Sequence, residues 1–196
     1  MNFDQELLLE QGYTEICEKL ASHRLPRWEA LPDIELYMDQ VVAVMEKALS
    51  IYNTESEDNR IITPSIINNY VKLKIIPAPV KKRYNKEHLA YLVMICILKQ
   101  TLAISSIVKM INLQLEKKSI KQLYNEFCTI YENVIPFVSM EDTRDADITD
   151  SEELPEDSDD INAFILKSAI LSTAGKFICE GVLALTGTAD QENQKG

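Results

Sequence analysis

Glycine and cysteine are scarce in this chain of 196 residues, and neither residue type is clustered. The five glycines form no Gly-rich loop of the kind that cradles phosphates in nucleotide-binding enzymes. The four cysteines, at positions 17, 96, 128 and 179, include no C-x-x-C pair and have no nearby histidine. That spacing excludes the usual zinc patterns and a dense disulfide framework. We therefore expect no cofactor and no metal.

Motifs of known enzyme classes are missing as well. The sequence contains no H-E-x-x-H motif and no nucleophile elbow. Neither of its two histidines, His23 and His88, belongs to a recognisable arrangement of a carboxylate with a Ser or Cys nucleophile. Structural or exposed roles are expected for both. The chain is predicted not to be an enzyme.

Signals for export and for membrane insertion are also absent from the sequence. The N-terminus, MNFDQELLLEQ, carries early acidic residues and no basic region, so no signal peptide is expected. No uncharged apolar run reaches the roughly 18 residues of a transmembrane helix. The predicted location is the cytoplasm, without a membrane partner.

Positive charge is concentrated in one part of an acidic protein. The net charge is -11, yet residues 60–90 hold seven Lys or Arg and one Glu, a local charge of +6. Residues 141–160 hold eleven acidic side chains against one Arg. Electrostatic screening acts over about 8 Å at physiological salt, so separated patches act locally. The basic patch therefore remains a candidate surface for an anionic partner.

Residues 61–99 read as a polar helix and a basic turn on a buried platform. Thr63 and Pro64 are typical of a helix start, which predicts a helix over about 64–74. Prolines at 77 and 79 exclude a helix there, and a run of Lys-Lys-Arg follows. Asn85 is predicted to cap the next helix, and residues 89–98 are apolar at every position. A helix that is apolar all round is usually buried.

Helical spacing recurs elsewhere, and strand-like alternation is hard to find, so the class is mostly α. A helix over 3–22 is weakened by Gly12 and is expected as one or two pieces. Further predicted helices run from Pro32-Asp33 to about Tyr52, from a cap at Ser105 or Ser106, from Ser119 until Pro136 ends or kinks it, and over about 161–186. The acidic segment 139–160 is predicted to be a mobile linker. A polar tail is expected from Thr188.

The central stretch resembles the MerR-type winged-helix DNA-binding domain. Thr63 to Tyr70 stands at the place of that family's reading helix, Ile75-Ile76-Pro77 at its Leu-Pro-like turn, and Lys82-Arg83-Tyr84 at its Arg-x-Tyr motif. The run 25–113 is similar to a family of uncharacterised proteins of spore-forming Gram-positive bacteria, which is assigned a MerR-like domain. Lys74 stands where the family has a glycine, and the wing lacks its glycine, so a short wing is expected.

The resemblance implies a mostly α fold: a MerR-like winged helix-turn-helix domain with additional N- and C-terminal helices. The predicted parts are an N-terminal helical extension (1–24), the DNA-binding domain (25–118), a long helix (119–138), the acidic linker (139–160), a C-terminal helix (161–187) and the tail (188–196). Family members dimerise through C-terminal helices, which here implies residues 119–135 and 161–186. No effector site is visible, although an unknown effector is a further expected partner.

The resemblance also implies sequence-specific binding of double-stranded DNA by a dimeric transcriptional regulator, with repression by promoter occlusion as the simplest mechanism. Asn68 and Asn69 either contact bases or are two solvated polar residues, and Tyr70 either donates to a phosphate or packs under the helix. The predicted DNA-binding residues are Thr63, Ser65, Asn68, Asn69, Tyr70, Lys72, Lys74, Lys81, Lys82, Arg83 and Tyr84. The alternative is a non-enzymatic helical module that binds other proteins.

Overall fold

Helices account for nearly all the regular structure of this chain. The computed structural model describes residues 3–52, 60–138 and 158–192. These contain α1 (Phe3–Ser22), α2 (Met38–Ala48), α3 (Pro64–Lys72), α4 (Lys86–Leu98), α5 (Ile104–Leu115), α6 (Ile120–Val138) and α7 (Ser158–Glu192). Short 3-10 helices span Trp28–Ala30 and Ser50–Tyr52. The described residues include no β-strand, so the predicted mostly α class is confirmed.

Helix α4 lies at the centre of the fold. Every residue from 88 to 98 is buried except Tyr91, and α2, α5, α6 and α7 all pack against this helix. Asn85 caps it as predicted, because its side chain accepts a hydrogen bond from the backbone N–H of His88. The prediction of a buried platform is therefore confirmed.

Helices α1, α6 and α7 form a second layer, in which α7 packs along both of the others. The inner face of α7 buries Leu166, Ala169, Ile170 and Ala174. Its approach to α1 is close: a Cβ added at Gly12 would lie 2.5 Å from Leu185 Cδ1. A side chain at position 12 would therefore require Leu185 to shift.

Several predicted helix boundaries were wrong. The helix expected from Pro32-Asp33 begins at Met38, because the residues before it are extended and Leu36 pairs with Tyr84 in an antiparallel bridge. Helix α5 begins without a serine cap: the backbone N–H groups of Ser106 and Ile107 donate to the carbonyl of Ala103.

Helix α6 ends where the predicted long helix 119–138 ends, whereas α7 differs at both ends from the predicted helix over about 161–186. Helix α6 continues past Pro136 to Val138, because a proline near a helix end removes only one N–H donor. Helix α7 begins inside the predicted linker and continues past Thr188 to Glu192. The rest of that linker, 139–157, lies outside the described residues.

One segment of α7, Ile161–Leu185, is long and apolar enough to cross a membrane, by length and composition only. The sequence predicts no such segment, because charged residues, here Lys167, Lys176 and Glu180, keep every uncharged apolar run shorter than about 18 residues. The inner face of this segment packs on α1 and α6, while only 22% of its apolar window is buried inside the protein.

Candidate nucleic-acid interface

Helix α3 is short, capped at its N-terminus and amphipathic. The Thr63 hydroxyl accepts a hydrogen bond from Ile66 N at 3.2 Å, and Pro64 occupies the first turn, as predicted. Ile67 and Tyr70 are buried beneath the helix. The outward side presents residues spaced three and four apart, which we call the α3 stripe: Ser65, Asn68, Asn69, Lys72 and Leu73.

Helix α3 ends in a Schellman motif with a lysine at the position where glycine is usual. Lys74 N donates to the carbonyl of Val71 at 3.0 Å, and Ile75 N donates to the carbonyl of Tyr70 at 2.9 Å. This pair of bonds requires a left-handed residue after the helix cap, and Lys74 has a φ of 56°. Lysine therefore replaces the usual glycine at this position, and the geometry of the helix end is the same as with glycine.

The basic run forms a two-residue hairpin turn, which we call the lysine turn (Lys81 and Lys82). Val80 and Arg83 form an antiparallel bridge, with Arg83 N donating to the carbonyl of Val80 at 2.9 Å. The φ angles of Lys81 and Lys82 are 49° and 63°. Positive φ at both central residues is the pattern of a type I′ turn, which favours Asn-Gly.

Backbone strain coincides with positive charge at Lys74 and at the lysine turn. Lys74, Lys81 and Lys82 are the only non-glycine residues with positive φ in the part of the chain that the structure describes. The left-handed conformation costs an L-residue roughly 1–2 kcal/mol, and glycine avoids that cost. The chain therefore places three long cations where an uncharged small residue would be more stable.

The exposed lysines are available to a partner. Lys72, Lys74, Lys81 and Lys82 are all exposed. None of the four forms an ion pair with another described residue. The surface from the α3 stripe to the lysine turn thus carries cations and amides, and α3 itself contains no acidic residue.

Arg83 differs from these lysines because its side chain is engaged within the protein. Its Nη1 lies 3.4 Å from Glu35 Oε2, and its Nη2 donates to the Tyr37 hydroxyl at 3.1 Å. The guanidinium carbon also lies 5.1 Å from the centre of the Tyr37 ring, within the range of a cation–π contact.

Two of the predicted site residues, Tyr70 and Tyr84, lie in the core. Tyr70 is 6% exposed, and burial raises the pKa of its hydroxyl to about 12. Tyr84 is 3% exposed and packs edge-on against His88, with ring centroids 5.3 Å apart. The structure thus places Tyr70 under its helix, one of the two roles left open by the sequence, and both rings support the surface from below.

Both histidines occupy structural positions. His88 is buried beside Asn85, and burial lowers its pKa. His23 lies 3.0 Å from the Tyr131 hydroxyl and 3.0 Å from the carbonyl of Ala48, and burial lowers its pKa too. Among the described residues, no group of three or more His, Cys, Asp or Glu is placed to hold a metal.

Acidic side chains bound the basic surface on one side. A cleft of about 600 Å³ is lined by Glu29, Asp33, Glu35 and Glu87, together with Lys86 and Lys121. Lys86 lies 3.6 Å from Asp33, and Lys121 lies 2.9 Å from Glu29. An anionic partner is therefore favoured on the α3 stripe and the lysine turn and disfavoured at this cleft.

Three exposed residues at this surface were missed in the sequence analysis. Leu73 and Val80 are 58% and 67% exposed beside the lysines, and Tyr37 is 51% exposed next to Arg83. Tyr37 falls within the helix predicted from Pro32-Asp33, whereas the structure places it in extended backbone directly before α2. Its pairing with residue 83 is long-range, and no local pattern reveals such pairing.

The comparisons with known proteins give a family without an activity. Residues 26–127, just over half of the chain, match the family model described as Domain of unknown function (DUF1836). No curated protein and no solved structure matches the chain. The matched segment contains the whole candidate interface. The description of the family does not mention MerR-type domains, so the resemblance to those domains stays a prediction. The chain belongs to the DUF1836 family.

Proposed function

We propose that this protein is a cytoplasmic, non-enzymatic transcriptional regulator that binds double-stranded DNA through the α3 stripe and the lysine turn. The observation that carries the proposal is the strain at Lys74, Lys81 and Lys82, all three of which are exposed and hold positive φ. Strained backbone clusters at functional sites. Glycine would adopt this backbone conformation at a lower cost, and yet the chain has lysine at all three positions. This supports a functional role for the positive charges.

The α3 stripe supplies groups suited to reading bases. Ser65, Asn68 and Asn69 are exposed on one side of a helix of nine residues. An asparagine amide can bind the N6 and N7 positions of adenine in the major groove, with a discrimination of about 1–3 kcal/mol per bidentate pair. Sequence preference is therefore proposed to arise from these three side chains.

The lysines are proposed to bind phosphates. Contacts to the DNA backbone fix the position of a protein and contribute affinity without selecting a sequence. Thr63, Tyr70 and Tyr84 are engaged as a helix cap and as core residues. They are thus proposed to support the contact surface from beneath. The direct contact set is then Ser65, Asn68, Asn69, Lys72, Lys74, Lys81 and Lys82.

Binding to random-sequence duplex DNA at two salt concentrations tests this proposal. The logarithm of the binding constant should fall linearly with the logarithm of the salt concentration. The slope should be about -0.9 for each phosphate that the protein contacts. A Lys81→Ala/Lys82→Ala variant should show a flatter slope. The matched control Lys47→Ala/Lys99→Ala removes the same charge from two exposed positions, one in α2 and one directly after α4, and it should retain the slope. Equal slopes for both variants would contradict the proposed surface.

A homodimer is proposed to form through the α7 outer face. This face consists of exposed apolar residues opposite the buried side of the helix: Ile161, Phe164, Ile165, Leu171 and Leu183. Gly175 lies between them, and a Cβ added there would meet no atom within 4 Å. A second copy of the same helix would remove this apolar surface from water. A dimer would carry two DNA-binding surfaces and repress transcription by covering a promoter.

The α7 outer face also supports the second candidate, a helical module that binds another protein. The two functions are separated by a Leu171→Glu variant. In the regulator, this change should yield a monomer with weakened DNA binding. In the module, the wild-type protein should bind no DNA at low salt, and the same change should abolish binding to its protein partner.

A further inference from the structure

Two extended segments meet beside the lysine turn. Leu36 and Tyr84 exchange both backbone hydrogen bonds, Leu36 N to the carbonyl of Tyr84 at 2.8 Å and Tyr84 N to the carbonyl of Leu36 at 2.9 Å. Both side chains are buried, at 4% and 3% exposure. Because side chains alternate along extended backbone, the neighbouring residues Tyr37 and Arg83 point outward and lie directly opposite each other.

This pairing places the Arg83 side chain across the segment that precedes α2. The guanidinium donates to the Tyr37 hydroxyl at 3.1 Å, lies over the Tyr37 ring and faces Glu35 Oε2 at 3.4 Å. Two N–H groups and one face of the guanidinium are thus directed at the protein. Lys81 and Lys82 precede Arg83 directly and have no ion pair with any other described residue.

We infer that Arg83 is a positioning residue that braces the lysine turn, and that it does not itself bind phosphate. The inference rests on the proposed function. The turn leaves the body of the protein through Val80 and returns through Arg83, so anchoring Arg83 fixes the direction in which both lysines project. A turn held in its bound direction loses less conformational entropy when DNA binds.

The salt dependence of DNA affinity separates a positioning residue from a phosphate contact. Arg83→Ala should weaken binding about two- to five-fold, the factor expected for an exposed cation–π contact, and the salt slope should not change. Lys81→Ala or Lys82→Ala should each flatten the slope by about 0.9. A slope that falls by about one unit in Arg83→Ala would overturn the inference.

Tyr37 provides a second test that leaves the charge unchanged. Tyr37→Ala removes the ring and hydroxyl that hold Arg83, and it should weaken DNA binding about as much as Arg83→Ala. The Tyr37→Ala/Arg83→Ala variant should bind no more weakly than either single variant, because one interaction is lost in all three. Additive losses would show that the two residues act separately and would overturn the brace.

A measurement without DNA keeps this inference distinguishable from the proposed function. Endoproteinase Lys-C cleaves after lysine, so Arg83→Ala leaves its sites at Lys81 and Lys82 intact. Faster cleavage there in Arg83→Ala and Tyr37→Ala than in the wild type would support the brace, and unchanged cleavage would overturn it. Absence of DNA binding by the wild type at low salt would refute the proposed function, whichever result the cleavage gives.

Discussion

Replacing Lys81 by Asn and Lys82 by Gly should stabilise the fold and weaken DNA binding at the same time. Both lysines have positive φ, and Asn-Gly is the pair that a type I′ turn favours. The change therefore relieves backbone strain while removing two cations from the contact surface. A trade between stability and function at one turn would be direct support for the proposed role of the lysines.

The size of the stabilisation follows from the backbone. Left-handed backbone costs an L-residue roughly 1–2 kcal/mol, and asparagine recovers only part of that cost because it keeps its Cβ. Glycine at the second position increases the conformational entropy of the unfolded chain, which lowers the free energy of unfolding by about 0.4–1 kcal/mol. The net gain in the free energy of unfolding is about 1 kcal/mol, which raises Tm by about 2–4 °C for a chain of this length.

Thermal unfolding followed by circular dichroism measures the stability, and fluorescence anisotropy with labelled duplex DNA measures the affinity. The matched control is Lys81→Ala/Lys82→Ala, which removes the same charges and keeps a Cβ at both positive φ angles. In both variants, the slope of the logarithm of the binding constant against the logarithm of the salt concentration should flatten by about 1.8. Only the Asn-Gly variant should gain stability. Equal Tm values for the two variants would refute the strain argument, and unchanged slopes would refute the contact.

Further predictions concern the stripe, the core and the histidines. Asn68→Ala should reduce the preference for a selected DNA site by about 1–3 kcal/mol while affinity for random DNA stays unchanged; loss of both affinities together would argue for a general effect on α3. Leu92→Ala, at 0% exposure in α4, should lower the free energy of unfolding by about 2–5 kcal/mol in a denaturant titration, and a loss below 1 kcal/mol would contradict a tightly packed platform. Because burial lowers the folded-state pKa of His23 and His88, the unfolded chain binds more protons below its ordinary histidine pKa of about 6.5. Stability should then fall as the pH drops through that value. His23→Gln should reduce the fall, and an identical pH dependence in the variant would remove His23 from the explanation.

Local signals in the sequence were sufficient for the elements that lie next to each other in the chain. Thr63-Pro64 marked the start of α3 correctly, and Asn85 marked the cap of α4, because a cap bonds to backbone only three residues away. The uninterrupted apolar run 89–98 indicated a buried helix, because a helix without a polar face must be covered on all sides. This signal too lies within one short stretch of the chain.

Long-range pairing is what the sequence could not reveal. The bridge between Leu36 and Tyr84 joins residues 48 positions apart, and it decides where α2 begins, which side of Tyr84 is buried and where Arg83 points. The positive φ angles of the lysine turn are equally hidden, because lysine has no preference for left-handed backbone; at Lys74 only the glycine of the resembled family pointed to it. The candidate surface was therefore predicted as a set of residues, and the structure divides that set into contact and support.

The packing of α7 against α1 has a consequence for the order in which the chain can fold. During synthesis the ribosome releases α1 first and α7 last, and yet the core joins Leu20 of α1 to Ile170 of α7. Until residues 158–192 emerge, the faces of α1 and α6 that α7 covers remain exposed to water, and such surfaces recruit chaperones or aggregate. The segment that matches the family model, 26–127, lacks α1 and α7 and ends inside α6, so an excised copy of it would leave the remaining part of the α6 face uncovered. The packing of the matched segment thus depends on helices that lie outside it.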